Sequence, residues 1–206
     1  LQNHEDKCLK IWELICKISK SSYQEIYNIL NISPNLKDTG ESFYNEFLFE
    51  IEKELEEKKL ITIDKNAKLL FLDKKKPPLI IKKGDGGYGY DSTDLAALKY
   101  RIQELQADQI IYVTDVGQKL HFDMLFEANN IIDWSKKVQL DHVSFGIVLG
   151  EDGKRIKSRS GESFKLMDLL NESYKAFLNE NEQRKDDDSD YNTCLIVDSE
   201  MDKLAK

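Results

Sequence analysis

Apolar residues recur at helical spacing near the start of the chain, where Leu9, Trp12, Ile15 and Cys16 form one stripe over Asp6 to Lys20. A second short helical pattern follows through Tyr23, Ile26, Tyr27 and Leu30, and Pro34 is placed to end it. In ESFYNEFLFEIEKELEEKKL the positions Phe43, Phe47, Ile51 and Leu55 repeat every four residues. Ser42 can cap that helix, and its other face is charged. LITID and LLFLD, separated by KNAK, then read as a hairpin, and LIIKK after Pro77 and Pro78 reads as a further strand.

From Asp91 the pattern changes. A helix from Ser92 to about Leu105 is followed by the strand QIIYVTD, a helix from Leu120 to Ile132, the strand VQLDHVSFGIVLG, a loop, and a helix from Ser163 to Leu178. Short, continuously apolar strands alternating with helices predict an α/β fold with a parallel sheet wrapped by helices. Ligands of such sheets sit outside the carboxyl ends of the strands, which directs attention to the residues after YVTD, after HVSFG, and in the glycine-rich run before Tyr90.

The 206 residues carry a net charge of −8, which argues against binding a polyanion over the whole surface. No apolar run approaches the roughly 18 residues of a membrane span, and no secretory leader pattern is present. Cys8, Cys16 and Cys194 lack CxxC spacing and fit free thiols in a reducing compartment, so a cytoplasmic location is expected. His4, His121 and His142 are too scattered for a metal site. Asp186, Asp188 and Asp190 have calcium-loop spacing, but Tyr191 stands where the turn needs glycine and Val197 where a glutamate belongs. No metal site is expected.

Gly84, Gly86, Gly87 and Gly89 allow either a tight turn or close approach of a ligand. Tyr90 and Asp94 are four apart at the entrance to a helix, whose positive end keeps a carboxylate ionised. Gln118 follows the strand IIYVTD. A phenol, a carboxylate and an amide converging at one crevice suit a cationic, hydrogen-bond-donating ligand such as a guanidinium. After the third strand end, GEDGKRIKSRSGES alternates glycine and hydroxyl residues with Lys154, Arg155, Lys157 and Arg159, a composition able to close over nucleotide phosphates or to stand as a solvated basic loop.

Three stretches in order, GDGGYGYDSTDLAALKYR, ADQIIYVTDVGQKLHF and FGIVLGEDGKRIKSRSGE, resemble the arginyl-tRNA synthetases, class I ligases that charge tRNA with arginine. The likeness extends back through IWELICKIS and GESFYNEF and covers roughly Cys8 to Leu178. It implies the second half of a class I Rossmann-like nucleotide-binding fold with a helical and hairpin insertion. Residues 1–78 would belong to the connective insertion, 79–180 to the catalytic half, and 181–206 to an acidic linker and the start of a following segment.

The resemblance further implies that Tyr90, Asp94 and Gln118 bind arginine, with Asp94 paired to the guanidinium. His121, Phe145, Gly146, Val148, Arg155, Lys157 and Ser158 would lie along ATP, which arrives with magnesium. RIKSR stands where class I enzymes carry the KMSKS loop. Ser158 replaces that motif's second lysine, so phosphate stabilisation falls to Lys157, to Arg159 or to a basic residue outside this chain, with Lys157 and Arg159 the expected catalytic residues. The implied partners are L-arginine, ATP and tRNA(Arg), with no membrane. The HIGH motif does not occur in the sequence. The chain is therefore expected to be an internal segment of the enzyme and to be inactive alone. The alternative is a non-catalytic, synthetase-derived scaffold that contacts partners through the helices from Ile11 to Leu30; arginine binding separates the two.

Overall fold

The computed structural model describes residues 6–73, 75–134, 137–146 and 165–187. Two compact units are distinguished, one spanning Lys37–Ile147 and one containing the helices near the two ends of the chain.

In the latter, α1 (Asp6–Ile29) is a single helix where the pattern reads as two. The serines between the two patterns donate back to the Ile18 carbonyl, Ser21 Oγ at 2.8 Å and Ser22 Oγ at 3.3 Å, so their hydroxyls are satisfied without interrupting the helix. The helix stops before Pro34 is reached. Asn31 takes a left-handed conformation (φ 51°), Ile32 N donates to Tyr27 O and Asn31 N to Asn28 O, the pairing of a Schellman end. The last helix, α5 (Leu166–Asp187), starts with the Asp168 carboxylate accepting from Lys165 N at 3.1 Å. It runs past Leu178 to Asp187, because NENEQRKDD contains helix formers and no glycine or proline to stop it even though the apolar period has faded. Residues 181–187, expected in a linker, are therefore helical.

The unit Lys37–Ile147 opens with a 3-10 turn (Glu41–Phe47) that leads into α2 (Leu48–Glu57). Ser42 caps neither: Gly40 is the N-cap of the 3-10 turn and Phe47 that of α2, both without a side-chain hydrogen bond. The helix ends at Lys59 (φ 59°), with Leu60 N donating to Leu55 O and Lys59 N to Glu56 O. β1 (Ile61–Asp64) and β2 (Ala67–Leu70) form the expected hairpin, with a tighter turn than KNAK suggests. Only Lys65 and Asn66 lie outside the ladder, both at positive φ, as a type I′ turn requires. β3 (Leu79–Lys82) adds antiparallel to β2.

Next come α3 (Tyr90–Gln103), β4 (Gln109–Asp115), a short 3-10 turn (Val116–Gln118), α4 (Lys119–Ile132) and β5 (Gln139–Phe145). β4 and β5 pair in parallel, from Gln109 opposite Gln139 to Asp115 opposite Phe145, and α4 is the crossover between them. This is the expected parallel α/β arrangement. α3 packs against α2, the first 3-10 turn, β3 and α4. Its Leu95 and Leu98 are fully buried, each stabilising the fold by roughly 1.5–3 kcal/mol. The core they join includes Ile51 and Leu55 from α2, Ile81 from β3 and Leu125 from α4, so packing is continuous across residue 78.

Candidate functional site

The glycine-rich run between β3 and α3 closes on itself. Lys83 N donates to Gly87 O at 2.8 Å, Gly86 N to Lys83 O at 2.9 Å and Gly87 N to Asp85 Oδ1 at 2.9 Å. Gly86 has φ +87°, which glycine adopts without strain. At Gly84 a Cβ would stand 2.9 Å from the Lys65 carbonyl oxygen, so that glycine lets the run pass against the β1–β2 turn. This is the tight-turn reading of the segment, and it delivers the chain to Gly89, the N-cap of α3.

The first turns of α3 are unusually polar for so buried a helix. Ser92 is fully buried and its hydroxyl donates to the Ile81 carbonyl at 2.5 Å. Thr93 Oγ1 donates to Glu41 Oε1 at 2.8 Å. Asp91 is buried, and its Oδ2 accepts from Ile80 N at 2.7 Å. These bonds fasten the start of α3 to β3 and to the 3-10 turn, and so fix the direction in which Asp94, one turn on, extends.

Asp94 meets α4 there. His121 Nε2 lies 2.7 Å from Asp94 Oδ2, and His121 Nδ1 lies 3.4 Å from Asp91 Oδ1. The imidazole thus bridges two carboxylates one turn apart on α3. Its pKa is raised from 6.5 to about 9: burial disfavours the charged ring, but hydrogen bonds and charge from Asp91 and Asp94 outweigh it. Only the imidazolium carries donors on both nitrogens, so the bridge is a charged one at neutral pH. The Tyr90 ring stands edge-on to His121 with centroids 5.1 Å apart and remains 65% exposed. A carboxylate, an imidazolium and an open aromatic face therefore share one site at the carboxyl end of β4.

Of the sequence-predicted residues, Tyr90, Asp94 and His121 are brought together. Gln118 is exposed in the 3-10 turn just before His121, a turn held by Gly117 N donating to Asp115 Oδ1 at 2.6 Å. Phe145 ends β5 opposite Asp115, exposed like Gly146 beside it. Val148, Arg155, Lys157, Ser158 and Arg159 lie outside the described residues. Among the described residues no group of three or more His, Cys, Asp or Glu is placed to hold a metal ion, and no helix is long and apolar enough to cross a membrane.

Two participants escaped the sequence reading. Asp91 looks like an ordinary acidic residue in a first helical turn, and its one signal is its place three before Asp94. Glu52 looks like part of the charged face of α2, yet it is only 3% exposed and receives Lys68, Lys82 Nζ at 2.9 Å and Tyr88 Oη at 2.5 Å. Burial raises its pKa, and these partners overcome that and bring it from 4.5 down to about 2. Through Tyr88 this carboxylate ties α2 to the segment that enters α3.

Comparison with known proteins gives a consistent set of relatives. The family described as "tRNA synthetases class I (R), catalytic domain" matches residues 1–197. The arginine-tRNA ligase of Protochlamydia amoebophila is 46% identical over 178 residues, 82% of this chain and 30% of that protein. That of Thermosynechococcus vestitus is 48% identical over 180 residues, 84% of this chain and 30% of that protein. The cytoplasmic arginine-tRNA ligase of Mus musculus is 43% identical over 189 residues, 91% of this chain and 28% of that protein. The crystal structure of arginyl-tRNA synthetase from Plasmodium falciparum matches with a TM-score of 0.72 and 36% identity, over 90% of this chain and 30% of that one. The chain thus spans about 30% of the length of the curated relatives it matches.

Proposed function

The chain belongs to the class I arginyl-tRNA synthetases, and on that premise we propose that it serves the ATP-dependent activation of L-arginine to arginyl-adenylate and its transfer to tRNA(Arg) in the cytoplasm. One observation carries the reading of the site: Asp94, a carboxylate a third exposed, is held at the start of α3 beside the open ring of Tyr90, with Oδ2 engaged by His121. A guanidinium brings planar donors and one positive charge, and Asp94 offers the matching acceptor and charge. Tyr90 supplies an aromatic face and Gln118 an amide from the neighbouring turn.

In this reading residues 1–78 represent the connective insertion and 79–180 the second half of the nucleotide fold, with 181–206 leading onward. At the exposed end of β5, Phe145 and Gly146 serve the adenosine together with Val148. Arg155, Lys157, Ser158 and Arg159 serve the phosphates, Lys157 and Arg159 stabilising charge as pyrophosphate leaves. ATP brings its magnesium as part of the substrate. The reaction is an in-line attack of the arginine carboxylate on the α-phosphate, so the chain's residues act by binding and orienting rather than by forming a covalent bond.

The test is Asp94→Asn in the intact protein, followed by arginine-dependent pyrophosphate exchange in the presence of tRNA. Removing one partner of a desolvated ion pair costs about 3–5 kcal/mol, which corresponds to a loss of about 10²-fold to 10³-fold or more in kcat/KM for arginine. Unchanged arginine kinetics would refute the assignment.

A further inference from the structure

We propose that His121 is a positioning residue for the substrate guanidinium: anchored by Asp91, its imidazole holds Oδ2 of Asp94 and so presents the other carboxylate oxygen to arginine. The inference rests on the reading of Asp94 as the guanidinium partner, and it gives His121 a role distinct from contact with ATP.

The chain of contacts starts at a fixed point. Asp91, in the first turn of α3, is buried and its Oδ2 is tied to the β3 backbone through Ile80 N, so its second oxygen faces His121 from a fixed position. The ring also has edge contacts with Tyr90 and with Phe122, whose centroid is 5.2 Å away. Its Nε2 then meets Asp94 at 2.7 Å, a charge-assisted distance. Asp94 is the exposed end of the series, and alone it would rotate among several rotamers. Bonded to a fixed donor through one oxygen, it keeps the other pointed into the site before arginine arrives, and that preorganisation lowers the ordering cost of binding.

The charges give a second reason. Asp91 and Asp94 place two like charges one turn apart on α3, an unfavourable pair on a helix surface. With the imidazolium between them the cluster carries one net negative charge, the complement of one guanidinium. Without it, Asp94 would share its negative potential with Asp91 and lose its fixed direction.

The experiment compares wild type, Asp94→Asn, His121→Ala and His121→Gln in the intact protein by pyrophosphate exchange, with KM measured separately for arginine and ATP. A glutamine amide reaches the Nε2 position and keeps a donor toward Asp94. The expected result for His121→Ala is a rise in arginine KM of roughly 10- to 100-fold, the range by which losing an outer partner weakens a metal held by its inner ligand. ATP KM should stay within about threefold, and His121→Gln should recover most of the loss. A His121→Ala arginine KM within threefold of wild type, while Asp94→Asn raises it, would overturn the inference and leave the arginine site standing. An increase confined to ATP KM would also overturn it and place His121 at the nucleotide. An inert Asp94→Asn would bring down the underlying site. If the alanine variant fails to fold, the glutamine variant alone decides: a large rise in arginine KM without loss of thermal stability overturns the claim that a donor to Asp94 is what matters.

Discussion

Glu52→Gln changes one heavy atom in a buried charge cluster and removes the charge on which two lysines converge. The side chain is 4% exposed, and its partners Lys68 and Lys82 are 24% and 27% exposed. Holding Glu52 at a pKa of about 2 against 4.5 in the unfolded chain corresponds to about 3 kcal/mol of stability at neutral pH. Part of this is recovered in the variant, because both lysines still reach water, so a loss of about 2–3 kcal/mol is expected. For a unit the size of Lys37–Ile147, that lowers the midpoint by about 8–12 °C. The folded pKa is depressed, so the wild-type advantage is fully present above about pH 5 and is lost as pH falls toward 2. Urea denaturation of both proteins at pH 7, 5 and 3 should show the difference shrinking by about 2 kcal/mol between the first and the last. A loss below about 1 kcal/mol at pH 7, or a difference that does not shrink in acid, would refute the view of Glu52 as an ionised tie between α2 and the entry to α3.

The His121 pair has the opposite sign, since its pKa is raised to about 9: its stabilisation is fully present below about pH 6.5 and is lost as pH rises through 9. The stability difference between wild type and His121→Ala should therefore shrink by about 3 kcal/mol between pH 6.5 and 9.5 in urea titrations, leaving only the part due to lost ring packing. Ser92→Ala leaves the buried Ile81 carbonyl without its hydroxyl donor and should cost about 1–2 kcal/mol with little change in the urea m-value. Gly84→Ala drives a Cβ to 2.9 Å from the Lys65 oxygen, and a lowered thermal midpoint by about 1–3 kcal/mol equivalent, with displaced β1–β2 turn resonances, is the expected outcome.

The alternation from α3 to β5 was readable because apolar runs of strand length are separated by helices of ordinary length, and turn signals mark the joins. Boundaries set by the main chain were less so. Lys59 ends α2 in a left-handed conformation, although glycine is the usual residue there, and nothing in its side chain announces it. At the site, Asp94 and Tyr90 stood out through their spacing at a helix entrance. The bridge from His121 did not, because it joins α3 to α4 across 27 residues of sequence and depends on how the two helices cross. Glu52 was hidden for a related reason: it sits three before Leu55 and four after Leu48, on the flank of the apolar stripe, and only the arrival of Lys68 and Lys82 from two strands distinguishes it from its exposed neighbours.

The two sheets differ in what the chain must do to close them. In the β1–β2 hairpin Asp64 faces Ala67 across a two-residue turn, whereas β4 and β5 bring together residues thirty apart, such as Gln109 and Gln139. Loop-closure entropy grows with the logarithm of that separation, a difference of about 2 kcal/mol between the two, before any contact is made. The hairpin can therefore close on its own within microseconds. The parallel pair depends on α4 shortening the path between its strands, and as the most non-local strand pairing among the described residues it forms more slowly than the hairpin.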